Sequence, residues 1–451
     1  MARFFKFHSL ADIDAECRRQ QLDIRFSEDL SPLFRPVQVG SFTVGNALCI
    51  QPMEGCDGTL DGRPDELTLR RYRRFGAGGA KLIWAEATAV LDEARANPRQ
   101  LLLNDRTAAS MEDMLKQCRR AHREACGHDD DLLVGLQLTH SGRYSYRGAT
   151  ALDDDYLARL VDPYVAAARF AAKIGFHFVD IKQCHGYLLS ELLSARARPG
   201  PYGGSLENRT RLARDIIRAI RVCVPGLMVA SRVNVYDGDG NLDQSGQFGC
   251  SRIRKNAGEA SDARILANAA TGGNEHTHLD EPLRWIGEMA QLGVALINVT
   301  MGCPYTTPHL VRPFEVPPPD GYEPPEHPLC GVHRHFTMTD QLQRALPHLP
   351  MVGSGYSYLQ EYLFHAGAAN LRDGRATFVG VGRAALAQPD FARQLQEQGR
   401  LDRKRVCRTF SYCTALMRSK KNELGQFPTG CPPFDKEVYG PIWDQAKRSE
   451  S

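Results

Sequence analysis

Hydrophobic residues along the chain fall into eight short and nearly unbroken runs, separated by stretches in which apolar residues recur at helical spacing. The runs are ALCIQPM, KLIWAEA, LLVGLQL, HFVDIK, LMVASRV, ALINVT, PMVGSG and TFVGVG. The intervening segments, such as LENRTRLARDIIRAIRVC, carry apolar residues three or four positions apart. Short apolar runs are typical of strands buried on both faces, and the spaced pattern is typical of helices. The pattern therefore predicts strands that alternate with helices.

This alternation predicts parallel strands, because each helix carries the chain back to the same edge of the sheet. Eight such units predict an α/β fold, a closed (β/α)8 TIM barrel with a short C-terminal extension. We place the barrel at residues 33–396, after an N-terminal extension at 1–32 and before a cysteine-containing appendage at 397–451. Residues 246–277 and the proline-rich residues 312–335 break the pattern, and we interpret both stretches as loops.

Composition and charge narrow the classes of function. The chain has 451 residues, 42% of them hydrophobic, and a net charge of +3. No basic run with interleaved aromatic residues suggests a nucleic-acid groove, and no apolar segment has the length of a secretory signal or a membrane span. We therefore expect a cytoplasmic protein that acts on a small molecule and binds neither nucleic acid nor membrane. The oligomeric state stays open, with a homo-oligomer among the alternatives.

The chain has 13 cysteines, an odd number spread over its whole length. This distribution fits reduced thiols better than a disulfide framework. Cys407, Cys413 and Cys431 stand in the appendage, without a C-x2-C step and one short of the four thiolates that an iron–sulfur cluster needs. Our interpretation is therefore no bound metal, with a three-Cys zinc site completed by a His as the alternative.

The densest group of reactive side chains follows the fourth apolar run. Lys182, Cys184, His185 and Tyr187 place an amine, a thiol, an imidazole and a phenol in quick succession. Side chains alternate along a strand, so Asp180 and Lys182 share one face, and barrel active sites lie where strands end at the carboxyl face. The pattern predicts that this strand end is part of an active site.

Five motifs stand in a fixed order along the predicted barrel. They are NALCIQPM on strand one, YRRFGAGGAKLIWAEATAV through strand two, LQLTHSGR after strand three, HGYLLSELLSARARPGPYGGSLENR after strand four and GVGRAALAQPD after strand eight. In this order they resemble the Old Yellow Enzyme family of FMN-dependent ene-reductases and its relatives. The resemblance implies an FMN-dependent oxidoreductase that takes hydride from NADH or NADPH and passes it to an activated alkene such as an enone.

The resemblance also implies which residues hold the flavin. Gln137 would bond the flavin pyrimidine, and Arg232 would stabilise the anionic reduced ring. Other residues expected at the flavin are Pro52, Met53, Glu54 and Ala87, with a phosphate site at the ends of strands seven and eight formed by Gly353, Gly355, Gly382 and Arg383. Backbone N–H groups of such glycines approach an anion closely. The alternative is that these glycines serve only turns and that the arginines pair with carboxylates.

In the family a His pair, or His with Asn, holds the carbonyl oxygen of the alkene substrate, and a Tyr two residues later delivers a proton. His185 and Tyr187 match this pattern, but Lys182 replaces the first His. An ammonium there would stabilise enolate charge or suit a carboxylate or phenolate substrate. The alternative is a structural salt bridge from Lys182 to Asp180 or Glu86.

Glu54 is a second departure, because it follows QPM where relatives usually place Thr or Cys. A carboxylate there disfavours a reduced anionic flavin, so we expect a more negative flavin potential than in relatives. The alternative is a Glu54 that is paired with a nearby arginine.

Two other functions stay open on the sequence alone. Because Lys182 departs from the family pattern, a flavin-dependent dehydrogenase or demethylase of an amine or ring substrate is one alternative. A non-catalytic flavin-binding barrel is the alternative from another class of protein.

Overall fold

The computed structural model describes residues 4–148, 152–238 and 279–450. Strands β1 (Val37–Val39) and β2 (Phe42–Val44) form an antiparallel hairpin. The eight barrel strands are β3 (Leu48–Ile50), β4 (Leu82–Ala89), β5 (Leu133–Thr139), β6 (Phe178–Ile181), β7 (Met228–Asn234), β8 (Val294–Thr300), β9 (Met351–Gly353) and β10 (Phe378–Val381). They pair in parallel in chain order, and β10 closes the barrel on β3. Each strand overlaps one of the eight apolar runs, which confirms the predicted (β/α)8 barrel.

Helices connect the strands and flank the barrel. They are α1 (Leu10–Arg19), α2 (Glu66–Ala77), α3 (Ala108–Cys126), α4 (Asp154–Arg159), α5 (Val161–Ile174), α6 (Leu188–Leu193), α7 (Leu206–Cys223), α8 (Asp280–Gln291), α9 (Pro308–Val311), α10 (Pro328–Ala345), α11 (Leu363–Arg372), α12 (Arg383–Ala387), α13 (Phe391–Gln398), α14 (Tyr412–Arg418) and α15 (Lys436–Glu450). Short 3-10 helices are Ser31–Phe34, Asp92–Ala94, Gly142–Tyr144 and Tyr356–Tyr362. Within the described part of the chain, no helix is long and apolar enough to cross a membrane.

Local sequence explains where several helices begin and end. The Ser205 side chain accepts a hydrogen bond from the main-chain N–H of Asn208 and so caps the start of α7. Helix α5 ends at Gly175, whose φ of 101° favours glycine. The predicted loop at residues 312–335 is wrong beyond residue 327, because Pro328 starts α10, and the fixed φ of proline suits a first helical turn. The predicted loop at 246–277 lies outside the described residues.

The hairpin of β1 and β2, which the sequence analysis did not predict, packs against the end of the barrel where the strands begin. Val39 and Val44 join the same buried cluster as Leu82, Leu133 and other residues inside the barrel. Each hairpin strand has only three residues, too short a pattern to distinguish from a loop. The hairpin covers the amino end of the barrel and leaves the carboxyl end for a ligand.

A buried carboxylate links four neighbouring strands beneath the carboxyl end. Asp180 on β6 accepts hydrogen bonds from Trp84 Nε1 at 2.7 Å, Gln137 Nε2 at 2.6 Å and the main-chain N of Arg232 at 2.7 Å. These donors belong to β4, β5 and β7. Burial raises the pKa of Asp180 to about 6, against the effect of these bonds. One side chain therefore ties together the strands that carry Lys182 and Arg232.

Replacing Asp180 by Ala should destabilise the fold strongly. Three buried donors would lose their acceptor, and each such loss costs about 1–3 kcal/mol, so the free energy of unfolding should fall by roughly 3 kcal/mol or more. Urea unfolding followed by circular dichroism measures the change. Asp155→Ala, at an exposed position of α4, is the control and should cost less than about 1 kcal/mol. Equal losses in both variants would contradict the role assigned to Asp180.

Candidate active site

A cavity opens at the carboxyl end of the barrel, with an empty volume of about 1130 Å³ that includes its open mouth. Ends of both neighbouring and opposite barrel strands contribute to its wall. The sequence-predicted site residues that line it are Pro52, Met53, Glu54, Ala87, Lys182, His185, Tyr187, Arg232, Gly355, Gly382 and Arg383. The structure thus brings together residues that are as far apart as Pro52 and Arg383 in the sequence.

Two predicted residues do not line this cavity. Gln137 is buried, and its amide Nε2 donates to Asp180 at 2.6 Å, while the predicted bond to a flavin pyrimidine stays a prediction. Gly353 is the last residue of β9, and the lining begins after it with Ser354 and Gly355.

Three arginines in the cavity wall carry buried nitrogen atoms without a hydrogen-bond partner. These atoms are Nε of Arg232, Nε and Nη2 of Arg312, and Nη1 of Arg383. Burial, and then the charge of Arg383, lower the pKa of Arg312 to about 9. Two like charges beside one cavity are costly when they are desolvated, and an anion among them offsets that cost. The wall is therefore suited to an anionic ligand.

The remaining lining fits the other parts of FMN. Gly355 has a φ of 91°, and a Cβ at this position would come within 2.8 Å of His335, so glycine keeps this wall open. Pro52, Met53 and Ala87 offer an apolar surface of the kind that packs against a planar ring. The unpartnered arginine nitrogens suit a phosphate. The residues present therefore fit FMN.

Arg312 was not predicted as a site residue, although the proline-rich residues 312–335 were expected to form a loop in the wall of the substrate site. Nothing in the local pattern singles out this arginine, because its role depends on the partners that surround it. Its Nη1 donates to Thr414 Oγ1 at 2.5 Å, and Thr414 lies in the C-terminal appendage. Cys413, Thr414 and Met417 of the appendage also line the cavity. The appendage thus forms part of the cavity wall.

His185 is held in an unusual backbone conformation at the cavity. Its φ of 65° lies in the left-handed region, which is rare for residues other than glycine. Its Nε2 lies 3.2 Å from Thr300 Oγ1, and its main-chain N donates to Asn234 Oδ1 at 3.4 Å. Burial, followed by the charges of Arg232 and Lys182, holds the pKa of His185 well below its usual range. The imidazole is therefore neutral near pH 7 and can donate one hydrogen bond.

Lys182 makes neither of the ion pairs considered from the sequence. Its Nζ lies 3.6 Å from the centroid of the Tyr187 ring, a cation–π contact. Asp180 is occupied by other donors, and Glu86 accepts hydrogen bonds from Arg71 Nη2 at 2.5 Å and from the main-chain N of Gly55 at 2.8 Å. Burial lowers the pKa of Lys182. Its ammonium group is therefore placed against Tyr187 in the cavity wall.

Glu54 and Tyr187 are hydrogen-bonded to each other. The Tyr187 hydroxyl donates to Glu54 Oε2 at 3.3 Å, and Asn97 Nδ2 donates to Glu54 Oε1. Burial raises the pKa of Glu54 to about 7 and, together with the charge of Glu54, raises the pKa of Tyr187 well above its usual value. No arginine forms an ion pair with Glu54 among the described residues, so the predicted alternative of an arginine partner is not found.

Cys407, Cys413 and Cys431 line a second cavity, which shares Arg383, Leu386 and Cys413 with the first. Among the described residues, the group of potential ligands close enough to hold one metal ion is His128, Asp130 and the partly buried Asp131. The three thiols are not in that group. The zinc alternative considered from the sequence stays a prediction.

Residues 116–248 match the sequence profile of the NADH:flavin oxidoreductase / NADH oxidase family. NADPH dehydrogenase from Halalkalibacterium halodurans is 27% identical, over 63% of this chain and 78% of its own length. NADPH dehydrogenase from Clostridium acetobutylicum is 26% identical, over 43% of this chain and 60% of its own length.

Solved structures show the same barrel. An Old Yellow Enzyme homologue from Zymomonas mobilis superposes with a TM-score of 0.58 at 22% identity. The superposition covers 84% of this chain and 96% of the homologue. 2-Naphthoyl-CoA reductase superposes with a TM-score of 0.65 at 16% identity. The superposition covers 92% of this chain and 58% of the reductase, which is longer.

The chain resembles the NADH:flavin oxidoreductase / NADH oxidase family and has the barrel fold of an Old Yellow Enzyme homologue. The family match and the curated relatives confirm the resemblance first seen in the ordered motifs. They also support the predicted enzyme class, an FMN-dependent oxidoreductase with NAD(P)H as hydride donor.

Replacing Arg312 by Gln should weaken FMN binding without affecting riboflavin. A lost charged hydrogen bond to phosphate is worth about 1.5–3 kcal/mol, so the Kd for FMN should rise roughly 10-fold to 150-fold. Riboflavin lacks the phosphate, and its Kd should stay unchanged. Quenching of flavin fluorescence by the apoprotein measures both constants.

Arg383→Gln should behave like the Arg312 variant, and Arg400→Gln, at an exposed position outside the cavity, should bind both flavins normally. An equal loss of FMN and riboflavin binding in Arg312→Gln would show that Arg312 supports the cavity wall instead of the phosphate.

Proposed function

We propose that this chain reduces the carbon–carbon double bond of a small α,β-unsaturated carbonyl compound, an enone or an enoate-like molecule. The observation that carries the proposal is that His185 and Tyr187 line the same cavity as the unpartnered nitrogens of the three arginines. Bound FMN would supply hydride transfer from NAD(P)H to the alkene. The protein would supply binding of the carbonyl group, charge stabilisation and a proton.

His185 and Lys182 are proposed to bind the carbonyl oxygen of the substrate. The neutral imidazole donates a hydrogen bond, and the ammonium group adds a positive charge close by. Negative charge develops on this oxygen when hydride reaches the alkene, and donors placed in advance stabilise it most effectively. Because Lys182 replaces a hydrogen-bonding His of the family pattern, it favours substrates whose oxygen becomes, or already is, negatively charged.

Tyr187 is proposed to donate the proton that completes the reduction. Its hydroxyl stays protonated near neutral pH, since burial and Glu54 raise its pKa. A general acid must hold its proton until the transition state, and this phenol meets that requirement in the wall of the substrate cavity. The alkene would thus receive hydride on one carbon and the proton of Tyr187 on the other.

Anaerobic mixing of the purified FMN-loaded protein with NADH and with NADPH tests the proposed class of reaction. Rapid bleaching of the flavin spectrum, followed by return of the colour with 2-cyclohexenone, is the expected result. Bleaching by an amine but by neither nicotinamide would support the dehydrogenase or demethylase alternative. Absence of bleaching by any of these compounds would favour the non-catalytic flavin-binding barrel.

Tyr187→Phe should separate the two half-reactions. Flavin reduction by NADPH should be nearly unchanged, and reoxidation by 2-cyclohexenone should slow by about 10²-fold to 10⁴-fold, the range for a lost general acid. Stopped-flow absorbance measures both rates. Tyr322→Phe, at a partly exposed tyrosine outside the cavity, is the control and should leave both rates unchanged. A normal reoxidation rate in Tyr187→Phe would remove Tyr187 from the proposed reaction.

A further inference from the structure

The carboxyl group of Glu54 is placed as a partner of the proton donor. Its Oε2 accepts the hydrogen bond of Tyr187 at 3.3 Å, and Asn97 holds its Oε1. Within the described ranges, no lysine or arginine forms an ion pair with Glu54, in contrast to Glu86, which is bound by Arg71 at 2.5 Å. Glu54 is also the one carboxyl group among the described lining residues of the cavity. Because it has no ion-pair partner in the described part of the chain, no direct contact with a lysine or arginine there keeps this carboxyl group deprotonated.

A proton lost from Tyr187 must be replaced before the next reduction. Once the proton has left, the Tyr187 oxygen is a buried phenolate, which is costly away from water. Lys182, at 3.6 Å from the ring centroid, offsets part of that cost. The hydrogen bond to Glu54 already provides the path along which a new proton can reach the phenol oxygen.

We propose that Glu54 is a proton relay that returns a proton to Tyr187 after each reduction. This inference rests on the proposed function. One alkene carbon receives a hydride, which carries two electrons and one hydrogen. The other carbon receives the proton of Tyr187, and the O–H bond of Tyr187 breaks in this step. The O–H bond of protonated Glu54 then breaks, and its proton re-forms the Tyr187 hydroxyl. Water at the cavity returns a proton to the Glu54 carboxylate, which completes the balance.

Several ionisable groups surround Glu54 and decide its charge. They come from four segments of the chain. Lys182 and Tyr187 follow β6, Glu86 lies on β4, Cys56 lies on the same loop as Glu54, and Tyr305 follows β8. Burial raises the pKa of Glu54 most, the charge of Lys182 lowers it, and Glu86 raises it, with the result at about 7. Protonated Glu54 therefore predominates below about pH 7, and its population falls as the pH rises through that value.

The relay can be tested first without any turnover. In an infrared pH titration of the FMN-loaded protein, the carbonyl band of a protonated carboxyl group should disappear with a midpoint of about 7. Glu54→Gln should lack this band, and Glu397→Gln, at an exposed position of α13, should keep it. Tyr187→Phe should raise the midpoint, because the bond from Tyr187 lowers the pKa of Glu54. A band with a midpoint of about 7 that survives in Glu54→Gln, or a midpoint that Tyr187→Phe leaves unchanged, would overturn the proposal.

Multiple-turnover kinetics test the role of the relay in the reaction. In the wild type, turnovers of 2-cyclohexenone after the first should slow by about tenfold for each pH unit above about 7, because protonated Glu54 becomes scarce. Glu54→Gln should lose this slope, and at pH 6 its later turnovers should be about 10²-fold slower than its first, because Tyr187 enters the first turnover with its own proton. A wild-type slope in Glu54→Gln would overturn the relay while the proposed function stands. Failure of the wild type to reduce 2-cyclohexenone and other enones would overturn both.

Discussion

The buried carboxylate of Asp180 is the contact on which the carboxyl end of the barrel depends. It lies inside a closed ring of strands, and its three donors come from the strands on either side of β6. A buried charge is tolerated only where donors surround it, so these strands are held in the register that lets Trp84, Gln137 and the main chain of Arg232 reach it. The same bonds fix the strand ends that carry Lys182 and the Arg232 guanidinium into the cavity.

In the cavity at the carboxyl end of the barrel, positively charged side chains outnumber negatively charged ones. Lys182, Arg232, Arg312 and Arg383 line it, and Glu54 is the one carboxyl group among the described lining residues. An excess of positive charge in a concave, partly desolvated wall attracts anions such as a phosphate and stabilises negative charge that develops on a substrate. Burial outweighs the charge of Lys182 at Glu54 and raises the pKa of this carboxyl group to about 7.

The cavity wall is assembled from segments that are distant in the sequence. Glu54 follows the first barrel strand, Tyr187 follows the fourth, and Arg312 follows the sixth and bonds to Thr414 beyond the barrel. Loops at strand ends can vary without disturbing the packed strands, which is why a barrel of this kind combines a constant scaffold with a changeable site. In this chain the variation is visible at Glu54 and Lys182, the two departures from the family pattern, which both lie next to Tyr187.

The sequence by itself determined the eight strands, their parallel order and the strand end that carries His185 and Tyr187, because apolar periodicity and motif order are properties of neighbouring residues. The tertiary structure alone decided the partners. In the folded barrel, the Gln137 amide donates a hydrogen bond to Asp180, and Lys182 contacts the ring of Tyr187 instead of forming an ion pair. Arg312 lies in the cavity wall. These outcomes depend on burial and on contacts such as Glu54 with Tyr187, 133 residues apart, and Arg312 with Thr414, 102 residues apart. No local pattern records such contacts, since a side chain acquires its partner and its pKa only when the barrel closes around it.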